Sequence, residues 1–474
     1  MKKGDICEGI VESVLYPNRG RMTADEETIT VKNCIPGQRV QVRINKKRAG
    51  RLEGQLIEAL EASPLETREA LCPVFPGCGG CMYQTMDYQE QLSMKETQLK
   101  ELFSPVAAAD GQDLDACWEG IIASPRELGY RNKMEFTFGD EYKGGPLVLG
   151  LHKKASNYDI AEVTACAICP RDMSAIVRCT VEYFRELGTP FYHRVTHNGY
   201  LRHLMLREGA RSGEILIHLV TTSQEEHDLS ELVERLFALP LDGKIAGILH
   251  LINDSLADVV RADETRILYG QDHFYEEMCG LRFKISSFSF FQPNTLAAEK
   301  MYEKVRQYVA QALSGSYARP VVYDLYSGTG TIAQVLAPAA REVIGVEIVE
   351  EAVRAARENA TANGLDNCRF LVGDVFQVLD EITEKPDVII LDPPRDGIHP
   401  KALPRILAYD VPTIVYISCQ ATSLARDLPA FFAAGYRIRR MCAVDQFCET
   451  VAVETVCFLD KQVPARDDYT RAIK

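Results

Sequence analysis

The chain lacks long apolar runs, and this absence limits where the protein can work. Its 474 residues contain no uninterrupted apolar stretch near the length of about 18 residues that a transmembrane helix needs. Its start, MKKGDICEGI, has none of the apolar core of a signal peptide. We therefore expect a cytoplasmic protein that does not cross a membrane.

Positive charge is also scarce, since 53 lysines and arginines face 67 acidic residues and the net charge is −14. Nucleic-acid binding normally requires a basic face, so an RNA footprint over the whole surface is not expected. Charge is nevertheless segregated, because the segment RINKKRAGR at 43–51 is basic and contains no acid. A solvated hairpin tip explains that segment as well as an RNA contact does.

Cysteine is plentiful and its number is odd, at 15. Thiols stay reduced in the cytoplasm, so these residues favour metal binding or catalysis over a disulfide framework. Any single cysteine is more often a small buried apolar residue.

The 46% hydrophobic content and the length predict a large globular chain of about three domains. Short alternating segments separated by turns predict a small β-barrel at 1–62. A cysteine-bearing segment and mixed strand and helix patterns follow at 63–290 and predict an α+β central domain. At 291–474, apolar strands alternate with helical patterns, which predicts an α/β, Rossmann-like domain with a parallel sheet.

The strand ends of the third domain predict a nucleoside pocket. YDLYSGTG places two glycines at a turn from strand into helix, where backbone amides can approach a ligand. Glu347 ends the next strand, where a carboxylate can bind ribose hydroxyls, and Asp374 closes the third strand. The glycines alone do not decide between NAD and S-adenosylmethionine. LDPPR at 391–395 adds a rigid loop at the end of the fourth strand.

Several motifs in fixed order carry a family resemblance. They are FSFFQPN, DLYSGTGTIA, LDPPRDGI, YISCQATSLARDL and VDQFCETVAVETV. Together they resemble the RNA (uracil-5-)-methyltransferases of the RumA/TrmA type. The first 60 or so residues resemble the TRAM domain, an OB-like β-barrel, and CPVFPGCGGC resembles the iron-sulfur motif of the same family.

The resemblance implies a covalent mechanism. Carbon 5 of uracil is a poor nucleophile until a thiolate adds to carbon 6, and a base must afterwards remove the carbon 5 proton. By the family match Cys419 is the nucleophile, Glu454 the base and Asp392 a third site residue. A helix starting near Ala421 is expected to help lower the pKa of Cys419.

The same match implies S-adenosylmethionine as methyl donor. The implied cofactor contacts are Gln292, Tyr326, Gly328, Glu347, Asp374 and Asp392. The chain departs from the family pattern near the reacting groups and the glycines. The departures are Gln420 and Ala421 after the nucleophile, Cys448 and Ala452 before the base, and Thr331 after the glycines. They put the positioning of Glu454 in question more than the reaction class.

The resemblance also implies four ligands for a 4Fe-4S cluster, namely Cys72, Cys78, Cys81 and Cys166. Spacing alone gives an alternative, because Cys78 and Cys81 together with Cys166 and Cys169 match a structural zinc site. The zinc pattern would leave Cys72 unused.

RNA contacts and substrate follow from the same family. The implied RNA-binding residues are Arg131, Asn132, Lys133, Lys46, Lys47 and Arg48. Phe288, Phe290 and Phe291 are candidates for stacking on bases, although such clusters more often belong to a core. Family members with both a TRAM domain and a cluster act on ribosomal RNA, so we expect 23S ribosomal RNA as substrate and a monomeric enzyme. The alternatives are the same reaction on tRNA, methylation of another acceptor, and a non-methylating RNA-binding protein.

Overall fold

The protein is described from a computed structural model of the chain. The structure describes residues 1–48, 51–154, 156, 158–257, 259–312, 319–378, 382 and 384–461. The backbone of the predicted RNA-binding residues Lys46, Lys47 and Arg48 lies in a strand, but their side chains lie outside the described part. No helix within these ranges is both long enough and apolar enough to cross a membrane.

The elements are numbered in chain order. The strands are β1 (Ile6–Leu15), β2 (Arg19–Ala24), β3 (Glu27–Lys32), β4 (Arg39–Arg48), β5 (Arg51–Glu61), β6 (Trp118–Ile122), β7 (Lys133–Gly139), β8 (Val148–His152), β9 (Ile160–Glu162), β10 (Leu201–Glu208), β11 (Glu214–Thr221), β12 (Lys244–Ile252), β13 (Glu264–Gly270), β14 (His273–Met278), β15 (Leu281–Ser286), β16 (Val321–Leu325), β17 (Glu342–Glu347), β18 (Cys368–Val372), β19 (Val388–Leu391), β20 (Thr413–Ser418), β21 (Tyr436–Val444) and β22 (Glu454–Lys461). The helices are α1 (Tyr88–Ala108), α2 (Arg171–Leu187), α3 (Ser230–Phe237), α4 (Thr295–Ala312), α5 (Thr331–Leu336), α6 (Glu350–Ala362), α7 (Val375–Val378), α8 (Leu403–Ala408) and α9 (Ala421–Ala433).

Contacts divide the chain into two compact units, each built from separate stretches of sequence. The first unit contains Met1–Gln91, Ser124–Ala298 and Phe447–Val451. The second contains Leu92–Ala123, Glu299–Gln446 and Ala452–Lys474. The three-domain division with boundaries after 62 and 290 stays a prediction.

Within the first unit, β1 to β5 close into a barrel with the neighbour order β1-β2-β3-β5-β4. Residues alternate between the inner and outer faces, as β2 shows by burying Gly20 and Met22 between exposed neighbours. A Cβ atom at Gly20 would lie 2.2 Å from the Cys34 sulfur, so packing there requires glycine. The predicted N-terminal barrel is present, and its assignment as a TRAM, OB-like domain remains a prediction.

The rest of the first unit is a seven-stranded sheet with the order β13-β12-β11-β10-β7-β8-β9, plus the hairpin β14-β15. The amphipathic helix α2 buries Met173, Ile176 and Val177 in a core that includes Phe136 and Leu204 of the sheet. This mixed α+β arrangement matches what the sequence pattern predicts for the middle of the chain.

The second unit is an α/β structure around an eight-stranded sheet with the order β18-β17-β16-β19-β20-β22-β21-β6. Neighbouring strands among β16 to β20 run parallel, whereas β22 is antiparallel to both β20 and β21. Every residue of β16, β19 and β20 is buried, which explains their continuous apolar sequences. The prediction of a Rossmann-like parallel sheet is confirmed.

Strand β6 is an addition that the sequence does not predict. Its residues lie in the stretch assigned to the central domain, yet Trp118 pairs with Met441 and Ile122 with Val444 at the edge of this sheet. The pairing joins segments more than 300 residues apart, so no local sequence pattern predicts it.

Candidate active site

Most of the predicted reacting and cofactor-binding residues lie at one edge of the eight-stranded sheet. The carboxyl ends of parallel strands share an edge, so Tyr326, Glu347, Asp392 and Cys419 all follow or end strands at that edge. Strand β22 runs in the opposite direction and begins there with Glu454. The topology thus brings a residue from near the end of the chain beside the strand ends of the parallel sheet.

The glycine turn and the Glu347 carboxylate form one side of this edge. The Gly328 amide donates a hydrogen bond of 3.0 Å to Glu347 Oε2, and the Val349 amide donates one of 2.9 Å to Oε1. Gly330 has a φ of +73°, and a Cβ atom there would lie 2.5 Å from the Phe370 ring. The turn therefore depends on glycine and fixes the carboxylate that is expected to meet a ribose.

Tyr326 and Asp374 lie within electrostatic reach of each other. Burial, and then Asp374, raise the pKa of Tyr326 to about 12. Tyr326 also has a φ of +68°, which is rare for a residue with a side chain. The structure thus brings together Tyr326 and Asp374, two of the predicted cofactor residues.

The buried carboxyl of Asp324 is a site feature that the sequence analysis missed. Asp324 Oδ2 accepts a 2.9 Å hydrogen bond from the Ala333 amide, and Oδ1 has no hydrogen-bond partner among the described residues. Burial, and then Asp392 and Glu347, raise its pKa to about 8. The sequence signal for this buried carboxyl was an acidic residue within the apolar run VVYDLY.

Cys419, Asp392 and Glu454 form an acidic group whose members influence one another. Burial, and then Glu454 and Asp392, raise the pKa of the Cys419 thiol to about 11. Burial raises the pKa of Asp392 to about 7, and burial followed by Asp392 raises that of Glu454 to about 8. The three predicted catalytic residues are therefore neighbours, and the pKa of each is raised above its usual value.

This result corrects the expected pKa of Cys419. Helix α9 does begin at Ala421, as expected, but the pKa of the thiol is raised rather than lowered. Two nearby acids and partial burial outweigh the helix terminus. Arg395 acts in the opposite direction on both Cys419 and Glu454, and the sequence analysis gave it no role.

The loop that carries Asp392 and Arg395 is tied to α9. The Tyr416 hydroxyl donates a 2.8 Å hydrogen bond to Asp427 Oδ2, which also accepts one from the Ile398 amide. The Ser423 hydroxyl donates a 2.6 Å hydrogen bond to the Arg395 carbonyl. These contacts hold the loop against the helix that follows the nucleophile.

The predicted cluster cysteines gather in the first unit. Burial raises the pKa of Cys78, with further contributions from Cys166 and Cys72. Burial likewise raises the pKa of Cys81 to about 12, again with contributions from Cys166 and Cys78. No group of three or more His, Cys, Asp or Glu side chains in the described ranges is arranged to hold a metal ion. The thiols are thus close together without forming a ligand shell.

The environment of these thiols fits a negatively charged group. The Gly80 amide lies 3.4 Å from the Cys78 sulfur and points a donor toward it. The Lys154 ammonium lies 3.6 Å from the Met82 sulfur and 5.3 Å from the centre of the Phe75 ring, and it interacts with Cys78 and Cys81. The Cys169 thiol hydrogen-bonds to Cys166 and lowers its pKa, so the fifth cysteine is also near.

The remaining predicted residues lie in the first unit. Asn132 is buried and donates to the Gln292 carbonyl at 2.9 Å and to the Thr295 hydroxyl at 3.0 Å. Its amide donors hold the Gln292 segment, which differs from the expected contact with RNA. Arg131 and Lys133 are partly exposed. Phe288 and Phe290 are exposed, whereas Phe291 is buried in the core.

Comparison with solved structures shows which fold the chain has. Pyrococcus abyssi tRNA (uracil-54, C5)-methyltransferase in complex with S-adenosyl-L-homocysteine shares the fold with a TM-score of 0.74 at 24% identity, over 96% of this chain and 100% of that one. The similarity shows that this chain has an α/β methyltransferase fold.

Sequence comparison then identifies the family. A family model described as tRNA (Uracil-5-)-methyltransferase matches residues 249–462. An uncharacterized RNA methyltransferase of Clostridium tetani is 45% identical over 98% of this chain and 99% of the relative. Another, from Chlorobaculum tepidum, is 33% identical over 96% and 97%. The chain belongs to the RNA (uracil-5-)-methyltransferase family, enzymes that methylate carbon 5 of uracil in RNA.

Proposed function

We propose that this enzyme methylates carbon 5 of a uridine in 23S ribosomal RNA through a covalent adduct between Cys419 and carbon 6. The observation that supports this is the mutual influence of Cys419, Asp392 and Glu454 at the edge of the sheet that also carries the nucleoside rim. A cysteine nucleophile beside a base is what a pyrimidine carbon needs, whereas amine or hydroxyl acceptors need no cysteine nucleophile.

The reaction begins at the thiol. Cys419 gives its proton to a neighbouring carboxylate, and its sulfur bonds to carbon 6 of the flipped uridine, which moves electron density to carbon 5. Bound S-adenosylmethionine would supply the methyl group to carbon 5, with its sulfur–methyl bond breaking and S-adenosylhomocysteine leaving. Glu454 then removes the carbon 5 proton, the bond from Cys419 to carbon 6 breaks, and the aromatic ring is restored.

The cofactor would be held by the residues carried over from the family. Glu347 would accept hydrogen bonds from the ribose, Asp374 would meet the adenine edge, and Gly328 leaves room for the ligand. Tyr326, Asp392 and Gln292 complete the proposed set. Ile348, directly after Glu347, is 63% exposed and is suited to pack on the adenine ring.

We propose further that Cys72, Cys78, Cys81 and Cys166 bind a 4Fe-4S cluster, which would supply a rigid covalent link among their loops. The nearby thiols and the Lys154 charge support this proposal. Structural zinc held with Cys169 is the alternative. Iron and sulfide in anaerobically purified protein would favour the cluster, and stoichiometric zinc without sulfide would favour the alternative.

The proposed RNA class rests on the barrel and the cysteine group of the first unit. The closed barrel and the cysteine group support ribosomal RNA by family analogy, and Arg131, Lys133 and the strand 43–48 would contact it. The similarity in fold to a tRNA methyltransferase over 96% of this chain makes tRNA a specific second candidate.

The test uses 5-fluorouridine in transcripts of 23S fragments and of tRNA, with S-adenosylmethionine present. Fluorine at carbon 5 cannot leave as a proton, so the adduct should persist on a denaturing gel. A shifted band with 23S RNA that is absent in Cys419→Ala would support the proposal. A shifted band with tRNA alone would instead support tRNA as the substrate. Methylation of ordinary RNA without any band would refute the covalent route.

A further inference from the structure

The segment Phe447–Val451, between β21 and β22, makes its contacts within the first unit. Glu449 is the centre of this segment, with a fully buried side chain and a φ of +67°. The proposed base, Glu454, begins β22 only three residues after Val451. The direction in which the chain enters β22 at Glu454 therefore depends on the contacts that hold residues 447–451.

The backbone of the segment is held by the loop that carries the cysteines. The amides of Met82 and Tyr83, directly after Cys81, donate hydrogen bonds of 2.6 and 3.1 Å to the Glu449 carbonyl. The Tyr130 hydroxyl donates one of 2.9 Å to the Cys448 carbonyl. Three donors thus fix two consecutive peptide units.

The Glu449 side chain is fixed as well. Its carboxylate pairs with the Arg68 guanidinium, which also pairs with Glu127. Gln91 makes a reciprocal pair with the same residue: Gln91 Nε2 donates to Glu449 Oε2 at 3.1 Å, and the Glu449 amide donates to Gln91 Oε1 at 3.1 Å. A buried carboxylate is tolerated only with such partners.

Packing connects the segment directly to the proposed cluster ligands. The Cys448 side chain is completely buried in an apolar group with Cys81, Tyr130 and Ile168, and Cys166 packs against the same group. A change at the cysteine site is therefore a change in the packing of residue 448.

We propose that the loop 78–83 and Arg68 act together as a clamp on 447–451 that positions Glu454 for removal of the carbon 5 proton. Arg68 and Tyr130 are positioning residues in this clamp, because neither touches a reacting atom. The short connection through Ala452 and Val453 leaves little slack, and a displacement of about 1 Å can cost on the order of a hundredfold in rate. The inference rests on the proposed roles of Cys419 and Glu454.

The clamp has a kinetic signature that general loss of structure would not produce. Formation of the adduct with 5-fluorouridine RNA needs Cys419 but no proton removal, whereas release of methylated product needs Glu454. Arg68→Met and Tyr130→Phe should therefore trap RNA containing ordinary uridine on the enzyme and slow product release at least tenfold, with fluorouridine adduct formation unchanged. Arg266→Met, which removes an exposed pair with Glu264 outside the barrel, is the matched control.

Amide hydrogen exchange tests the clamp without requiring methyl transfer or adduct formation. Arg68→Met should speed exchange in peptides covering 447–453 at least tenfold relative to Arg266→Met. Wild-type exchange in Arg68→Met, or wild-type product release in both variants, would overturn the clamp. If wild-type enzyme forms no fluorouridine adduct, the proposed function fails, and the exchange result still decides whether the clamp exists.

Discussion

The ammonium group of Lys95 lies 2.7 Å from Asp445 Oδ1, and the two side chains are 1% and 0% exposed. Lys95 lies on α1, and Asp445 follows the end of β21, where its amide also donates a 2.9 Å hydrogen bond to the Ile122 carbonyl. Val444, one residue earlier, pairs with Glu454. A buried ion pair thus marks the end of the strand beside the proposed base.

Loss of one member of this pair should be costly. Lys95→Met leaves the Asp445 carboxylate buried without its cation, so we expect the free energy of unfolding to fall by about 3 to 5 kcal/mol. Urea denaturation measures this loss. Lys100→Met on the same helix breaks an exposed pair with Asp115 and should change little. Recovery of stability in Lys95→Met with Asp445→Leu would confirm the cause, and a stable single variant would contradict it.

Glu454→Gln should separate the two halves of the reaction. Without a base, the methylated adduct cannot lose its carbon 5 proton, so we expect turnover to fall by roughly 10² to 10⁴ and RNA to remain bound to Cys419. A denaturing gel with ordinary uridine RNA and labelled methyl shows both effects. Asp460→Asn, at the other end of β22, is the control. Normal turnover in Glu454→Gln would assign the base elsewhere.

Arg395→Met should slow the first half of the reaction. Arg395 lowers the pKa of Cys419, although burial, Glu454 and Asp392 together raise it to about 11. Removing the cation raises that pKa further and reduces the thiolate fraction, so adduct formation at pH 7.5 should fall about two- to fivefold. Arg395→Lys should restore part of the rate. An unchanged rate, equal to that of Arg354→Met on α6, would mean that Arg395 does not affect the thiol.

Asp324→Asn should change how stability depends on pH. Because the folded pKa of Asp324, about 8, lies above that of an unfolded aspartate, its contribution to stability is complete below the unfolded pKa and is lost as pH rises toward 8. The amide can still accept from Ala333 and never ionises. We therefore expect the variant to gain about 3 kcal/mol relative to wild type between pH 5.5 and 8.5, measured by urea denaturation. A constant difference over that range would contradict a buried ionisation.

The sequence indicated the parallel sheet because its strands are buried on both faces and end in polar residues. Runs such as VVYDL and TIVYIS carry that signal locally, and the shared edge of parallel strands then groups Glu347, Asp392 and Cys419 without further information.

Features that depend on distant partners were not predictable. Strand β6 and the contacts of Glu449 each join segments more than 300 residues apart. No local sequence pattern predicts either of them. The raised pKa of Cys419 was not predictable either, because it depends first on burial and then on acids from two other strand ends. The burial of Asn132 was not predictable either, because the segment YRNK gives no local sign of it.

The closed barrel at the start of the chain has a consequence for recognition. Each of its five strands has two neighbours in the ring, so no whole strand is left at an edge. Recognition therefore falls chiefly to side chains on the outer wall of the barrel and in its loops. Substitutions there should therefore alter binding specificity residue by residue and leave the architecture of the ring intact.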